Sequence, residues 1–124
     1  MIKINVSGLA AREIANKVSE VAGDDVAVHI VTDIAGAKEV AQGEADYYFG
    51  ACATGGGGAL SMAIAILGYG ACFTVSTAGK LPREDEIQRA VANGVKAFGF
   101  TSDHVDSAVP LIMKAILDAR SSKG

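Results

Sequence analysis

YYFGACATGGGGALSMAIAIL, residues 47–67, passes from an apolar run through four consecutive glycines into an Ala/Ile-rich segment. The first part reads as a fully buried strand over 47–51, because parallel strands covered on both faces appear as continuous apolar runs. The last part reads as a compact helix over 59–67, with Leu60, Ala63, Ile64 and Leu67 on one side. Gly68 stops it. A strand, a glycine-rich turn and a helix in that order form half of a β-α-β unit, and the rest of the chain repeats the theme.

Upstream, 2–6 reads as a first strand, and Ser7-Gly8 opens a helix in which Ile14, Val18 and Val21 recur at helical spacing until Gly23. A β-branched run over 26–31 gives the second strand, with His29 expected to be packed or covered by a helix. Thr32-Asp33 supplies caps for a helix through about residue 41, closed by Gly43. Downstream, 71–75 is a fourth strand with Cys72 in the core, and Pro82 with Glu84-Asp85-Glu86 starts a helix that Asn93-Gly94 ends. A fifth strand over 96–100 leads into a last helix striped by Val105, Val109, Ile112, Ile116 and Ala119. Pro110 is assigned to its first turn and residues 121–124 to a frayed tail.

Five β-α units with short, right-handed crossovers predict one α/β domain over 1–124. The expected fold is a three-layer αβα sandwich with a five-stranded parallel, Rossmann-like or flavodoxin-like sheet. Ligands of such sheets bind beyond the carboxyl ends of the strands. Five loops fall there: Ser7-Gly8, Thr32-Asp33, 52–58, 76–80 and 101–104.

The glycine segment carries the functional expectation. Gly55, Gly56, Gly57 and Gly58 have no Cβ to hold a ligand off the backbone, and the following helix turns its unpaired N–H groups toward the same spot. The alternative is a plain surface loop. The anion reading expects a small, phosphorylated metabolite. Cys52, at the strand end before a helix, is a base or nucleophile favoured by the dipole, or a small buried hydrophobe. Thr54 either hydrogen-bonds a substrate oxygen or caps the helix.

From the other loops, Ser7, Gly8, Asp33, Ser76 and Thr77 are candidate ligand contacts. Lys80 is the single cation among the five loops, and His104 is an acid, base or anion contact, or else a solvated residue in a helix-initiating turn. Known nucleotide motifs do not fit. Gly79-Lys80 runs into Leu81 with Thr74 where a P-loop needs its first glycine, and the first strand is followed by Gly8 alone. No Cys/His spacing suits zinc, so neither a metal nor a cofactor is expected.

Residues 38–67 resemble the corresponding stretch of ribose-5-phosphate isomerase B and its galactose-6-phosphate isomerase relatives, which carry Cys-Gly-Thr-Gly-x-Gly before an Ala/Ile-rich helix. Cys52-Ala53-Thr54-Gly55-Gly56-Gly57 matches except at Ala53. The resemblance implies proton transfer between neighbouring carbons by Cys52, ring opening assisted by Thr54, and an enediolate held by Gly55 to Gly57. Ser7-Gly8-Leu9 stands where those enzymes carry an Asp-His pair. Over its whole length, notably in ADYYFGACATGGGGAL, KAFGFTSDH and VPLIMKAIL, the chain resembles the YhfU-like family of small glycine-rich bacterial proteins. That likeness implies this fold and a bacterial cytosol, and names no reaction.

Composition narrows the partners. With 124 residues, 11 basic against 14 acidic side chains, a net charge of −3 and no Lys/Arg-rich run, nucleic acid is not expected. Uncharged residues extend from Tyr47 to Gly79, yet glycines cut the stretch into pieces far shorter than the ~20 residues of a membrane span. Two cysteines without disulfide spacing, and a start too short and polar for a signal core, fit a reducing cytoplasm. A homo-oligomer fits too, since a shallow site on so small a domain often takes a neighbour's residues, but the sequence does not demand one.

Overall fold

The computed structural model describes residues 1–53 and 57–123. Five parallel strands, β1 (Ile2–Gly8), β2 (Val26–Ile30), β3 (Tyr47–Cys52), β4 (Cys72–Thr74) and β5 (Ala97–Thr101), line up in the order β2-β1-β3-β5-β4. They alternate with α1 (Ala11–Ala22), α2 (Asp33–Ala41), α3 (Gly57–Leu67) and α4 (Glu84–Ala92), and α5 (Val105–Lys123) follows β5. This is the expected α/β sandwich, with the last two strands exchanged relative to the flavodoxin order 2-1-3-4-5.

The sheet has two unlike faces. Ile2, Ile4 and Val6 of β1, Phe49 of β3, and Phe98 and Phe100 of β5 pack into one core with the buried residues of α1, α4 and α5. Among the described residues the opposite face gathers a smaller buried apolar cluster, Ala37, Tyr48, Leu60, Ala63 and Ala97, under α2 and α3. Side chains alternate along a strand, so Lys3, Asn5 and Ser7 share this second face with Tyr48, Gly50 and Cys52, and with Gly99 and Thr101.

Helix α3 sits very close on it. A Cβ added at Gly50 would stand 2.7 Å from the Ala59 carbonyl oxygen, and one at Gly99 2.7 Å from Leu60 Cγ. Bare backbone in the two central strands is what seats the start of α3 over the sheet's carboxyl end.

Several local expectations are corrected. Ser7 and Gly8 are the last residues of β1 and not the start of a helix. The turn is Leu9-Ala10, with Ala10 in the left-handed region at φ 64°. Gly8 has φ +89°, and a Cβ there would lie 2.4 Å from the Ala51 oxygen. His29 is exposed, because β2 is an edge strand that α2 does not cover. Cys72 begins β4 half-buried instead of lying in mid-core.

Pro110 lies in the second turn of α5, where it withholds the amide that would bond the carbonyl of Asp106. Residues 121–123 continue that helix. Strand boundaries differ from the sequence reading by a residue or two, as expected where pairing and not composition ends a strand. Among the described residues no helix is long and apolar enough to cross a membrane.

Candidate functional site

Strand β1 is followed by α1 on the large-core face, β3 by α3 on the other, and β5 by α5 on the large-core face again. The chain therefore leaves neighbouring strands in opposite directions on both sides of β3, and each such switch opens a crevice at the carboxyl edge. The candidate side chains divide between these two crevices.

The first crevice is a cavity of about 240 Å³ beneath the starts of α2 and α3. Ser7 and Gly8 reach it from β1, Thr32 and Asp33 from the turn after β2, Tyr48 and Gly50 from β3, and Gly58 and Ala59 from α3. Ser7 is buried, and its Oγ shares a short hydrogen bond with the equally buried Tyr48 hydroxyl. Burial pushes the Tyr48 phenol above its usual range. The Ser7 hydrogen bond works against that, and the negative charge of Asp33 adds to it. The phenol is therefore neutral at physiological pH, and the Asp33 carboxylate is close enough to be felt there.

Helix α2 satisfies its own first amides. Thr32 Oγ1 accepts from Ala35 N at 3.1 Å and Asp33 Oδ1 from Ile34 N at 2.8 Å. An anion at that helix start would compete with two side chains already in place. At α3 the backbone itself borders the cavity, through Gly58 and Ala59.

The second crevice lies between β3, β5 and β4. Ser76 and Thr101 are fully buried polar residues. Ser76 Oγ accepts from Thr101 N at 3.3 Å, and His104 Nδ1 lies 2.9 Å from Ser76 Oγ and 2.5 Å from Thr101 Oγ1. The Asp103 carboxyl is held below its usual range, chiefly by a hydrogen bond from the Thr101 side chain, with the nearby His104 ring adding to it. Cys52 pairs laterally with Thr101 across the β3–β5 ladder, and its Sγ lies 3.9 Å from where a Cβ of Gly58 would stand. The thiol thus sits at the boundary between the two crevices, and no disulfide joins it to Cys72.

Of the residues singled out in the sequence, Ser7, Gly8, Asp33 and Gly58 meet in the first crevice, and Ser76 and His104 in the second. Thr77 and Lys80 form a small antiparallel bridge, and the Lys80 ammonium is ion-paired with Glu86 of α4. It is not an unengaged cation awaiting a ligand. Thr54, Gly55 and Gly56 lie outside the described residues.

Sequence reasoning passed over Tyr48 and Asn5, and took Thr101 and Asp103 only as part of the 101–104 loop. The alternation of Lys3, Asn5 and Ser7 with Ile2, Ile4 and Val6 was the available signal for a polar face. Asn5 is fully buried, with Nδ2 donating to Glu39 Oε1 at 2.9 Å and Gly36 O at 3.3 Å. Its Oδ1 has no hydrogen-bond partner among the described residues.

Comparison with known proteins shows the family of the chain and adds no chemistry. No solved structure matches the chain. It is 38% identical over 113 residues to the uncharacterized protein YhfU of Escherichia coli strain K12, covering 91% of this chain and 97% of that one, and equally so to YhfU of Shigella flexneri. Residues 2–116 match the family described as protein of unknown function DUF2620, and the chain belongs to that family.

Proposed function

We propose that the protein binds a small anionic metabolite, phosphorylated in the simplest case, with the anion at the start of α3, as a non-catalytic receptor or a subunit of a larger assembly. The observation that carries this reading is the cavity of about 240 Å³ in which the α3 start meets the Ser7–Tyr48 hydroxyl pair and Asp33. Helix-start amides and the dipole favour negative charge without any cationic side chain. The glycine-rich run 55–58 belongs to the same proposal.

Asp33 limits the ligand. A carboxylate across so small a cavity repels a second negative charge, so the anionic group sits toward α3 and the ligand's hydroxyl or amino groups toward Asp33. The volume is below that of drug-sized pockets and suits a monophosphate-sized molecule, not a dinucleotide.

Thermal shift at constant ionic strength, with inorganic phosphate and a panel of five- and six-carbon sugar monophosphates, tests the reading. Stabilisation should grow with the logarithm of ligand concentration. Gly58→Asp should abolish it while the protein stays folded, since a Cβ at Gly58 meets only Cys52 Sγ, at 3.9 Å. If no anion shifts the transition, the reading fails.

A second reading, a sugar-phosphate aldose-ketose isomerase-like enzyme with Cys52 as base and Thr54 assisting, draws support from the nearness of the Cys52 thiol to cavity-lining Gly58. Turnover of any panel member that Cys52→Ser eliminates while binding persists would favour it.

A further inference from the structure

Among the described residues that line the cavity beneath α2 and α3, Asp33 is the one charged side chain. The neighbouring segment adds no cation, since Ala53 to Gly58 hold no charged residue. Lys3, on the same face of β1, is paired with Glu39, and Lys80 with Glu86. Asp33 Oδ1 accepts from Ile34 N at 2.8 Å, and no ion pair among the described residues involves this carboxylate. An ionised carboxylate accepts about four hydrogen bonds, so Asp33 has acceptor capacity left over.

The other end of the cavity is built to donate. The point where a Cβ of Gly50 would stand lies 2.7 Å from the Ala59 carbonyl oxygen and 3.1 Å from the Tyr48 hydroxyl, so the Ser7–Tyr48 pair sits beside the first turn of α3. Two hydroxyls bring two protons, and the bond between them uses one. The second proton has no acceptor among the described residues, although both side chains are more than nine-tenths buried and line the cavity. A donor stripped of water by burial is costly until an acceptor reaches it.

A phosphoryl group at α3 shares with the Asp33 carboxylate a space about 8 Å across, no wider than the Debye length at physiological salt, so their repulsion is screened only in part. A ligand hydroxyl donates to Asp33 but leaves its charge uncancelled, whereas an ammonium donates and cancels it. We propose that the ligand is a small phosphomonoester bearing a primary ammonium group, with the ammonium on Asp33 and the phosphoryl group at the start of α3, where the Ser7–Tyr48 pair donates to it. This rests on the anion-binding reading above and narrows its ligand class, since the site prefers aminated phosphates to those offering hydroxyls alone.

Titration calorimetry of the full chain at pH 7 and constant ionic strength compares O-phosphoethanolamine with ethyl phosphate, two probes that differ by one ammonium group. The aminated probe should bind about tenfold more tightly, the lower end of what a hydrogen bond to a charged group contributes. Asp33→Asn keeps an oxygen to cap Ile34 N and removes the charge. It should weaken O-phosphoethanolamine about tenfold and leave ethyl phosphate equal or tighter, so that the preference disappears. A merely structural role for Asp33 would lower both affinities together. If the two probes bind alike, or if Asp33→Asn changes both equally, the ammonium assignment is overturned while the anion site stands. If neither probe binds, both readings fall.

Discussion

The two faces of the sheet are built from the same strands and serve opposite ends. Under α1, α4 and α5 lie Ile4, Val6, Phe49, Phe98 and Phe100, all fully buried, and burial of this kind dominates folding free energy. Under α2 and α3 the same strands present Asn5, Ser7, Tyr48, Gly50, Cys52 and Thr101. Few large apolar groups are there, and the buried polar ones must be hydrogen-bonded to be tolerated. Period-2 alternation lets one strand stabilise with one row of side chains and offer chemistry with the other.

The sharpest way to break this division is to damage each face separately. Phe98 packs edge-on against Phe49 at a ring-centroid distance of 5.9 Å and tilted against Tyr47 at 6.3 Å. Phe98→Ala should cost about 3–5 kcal/mol, seen as a lowered denaturation midpoint with ligand binding by the surviving folded fraction unchanged. If binding were lost while stability held, the division would be false.

On the thin face the expected cost is smaller and the functional effect larger. Gly50→Ala forces a methyl to within 2.7 Å of a backbone oxygen of α3, so the helix must lift. We expect about 1–3 kcal/mol of destabilisation, together with loss of any ligand-induced thermal shift, because the start of α3 borders the cavity.

That contrast also explains what was legible in the sequence. Helix punctuation by Gly23, Gly43 and Gly94, all at positive φ, and apolar runs in buried strands are local signals, so the five β-α units could be read directly. Strand order was not legible, because lateral pairing depends on which neighbour each crossover reaches. The exposure of His29 follows only once β2 is known to be at an edge. For the same reason one expected carboxyl-edge site became two crevices: Ser76 and Thr101 are 25 residues apart and meet only because β4 lies beside β5.

A third change probes the buried hydroxyl pair. Tyr48→Phe leaves Ser7 Oγ without its partner and should cost about 1–2 kcal/mol, with Ser7→Ala in the same chain costing less than the sum of the two. The pH dependence has a definite sign. The Tyr48 phenol titrates higher in the folded protein than in the unfolded chain, so the folded state holds its proton more tightly. Its stabilisation is complete below about pH 10, the unfolded value, and falls as pH rises above it. Denaturant midpoints measured across that window should fall less steeply in Tyr48→Phe than in the unsubstituted protein.

The smallest effect expected is a gain, at the turn that joins the thin-face end of β1 to the large-core helix α1. Ala10 is the one non-glycine residue at positive φ among the described residues, at φ 64° and ψ 21°, directly before α1. A left-handed conformation costs an L-residue roughly 1–2 kcal/mol. Glycine would remove that cost but adds about 0.5–1 kcal/mol of unfolded-chain entropy. Ala10→Gly should therefore stabilise by up to about 1.5 kcal/mol, measurable as a raised denaturation midpoint at constant m-value. Gly8 and Ser7, two and three residues upstream, are held by β-ladder partners in β3, so ligand-induced shifts should be unaltered. A destabilised Ala10→Gly would mean that the methyl makes contacts worth more than the strain it bears, tying this turn to the large core to which Ala10 is adjacent.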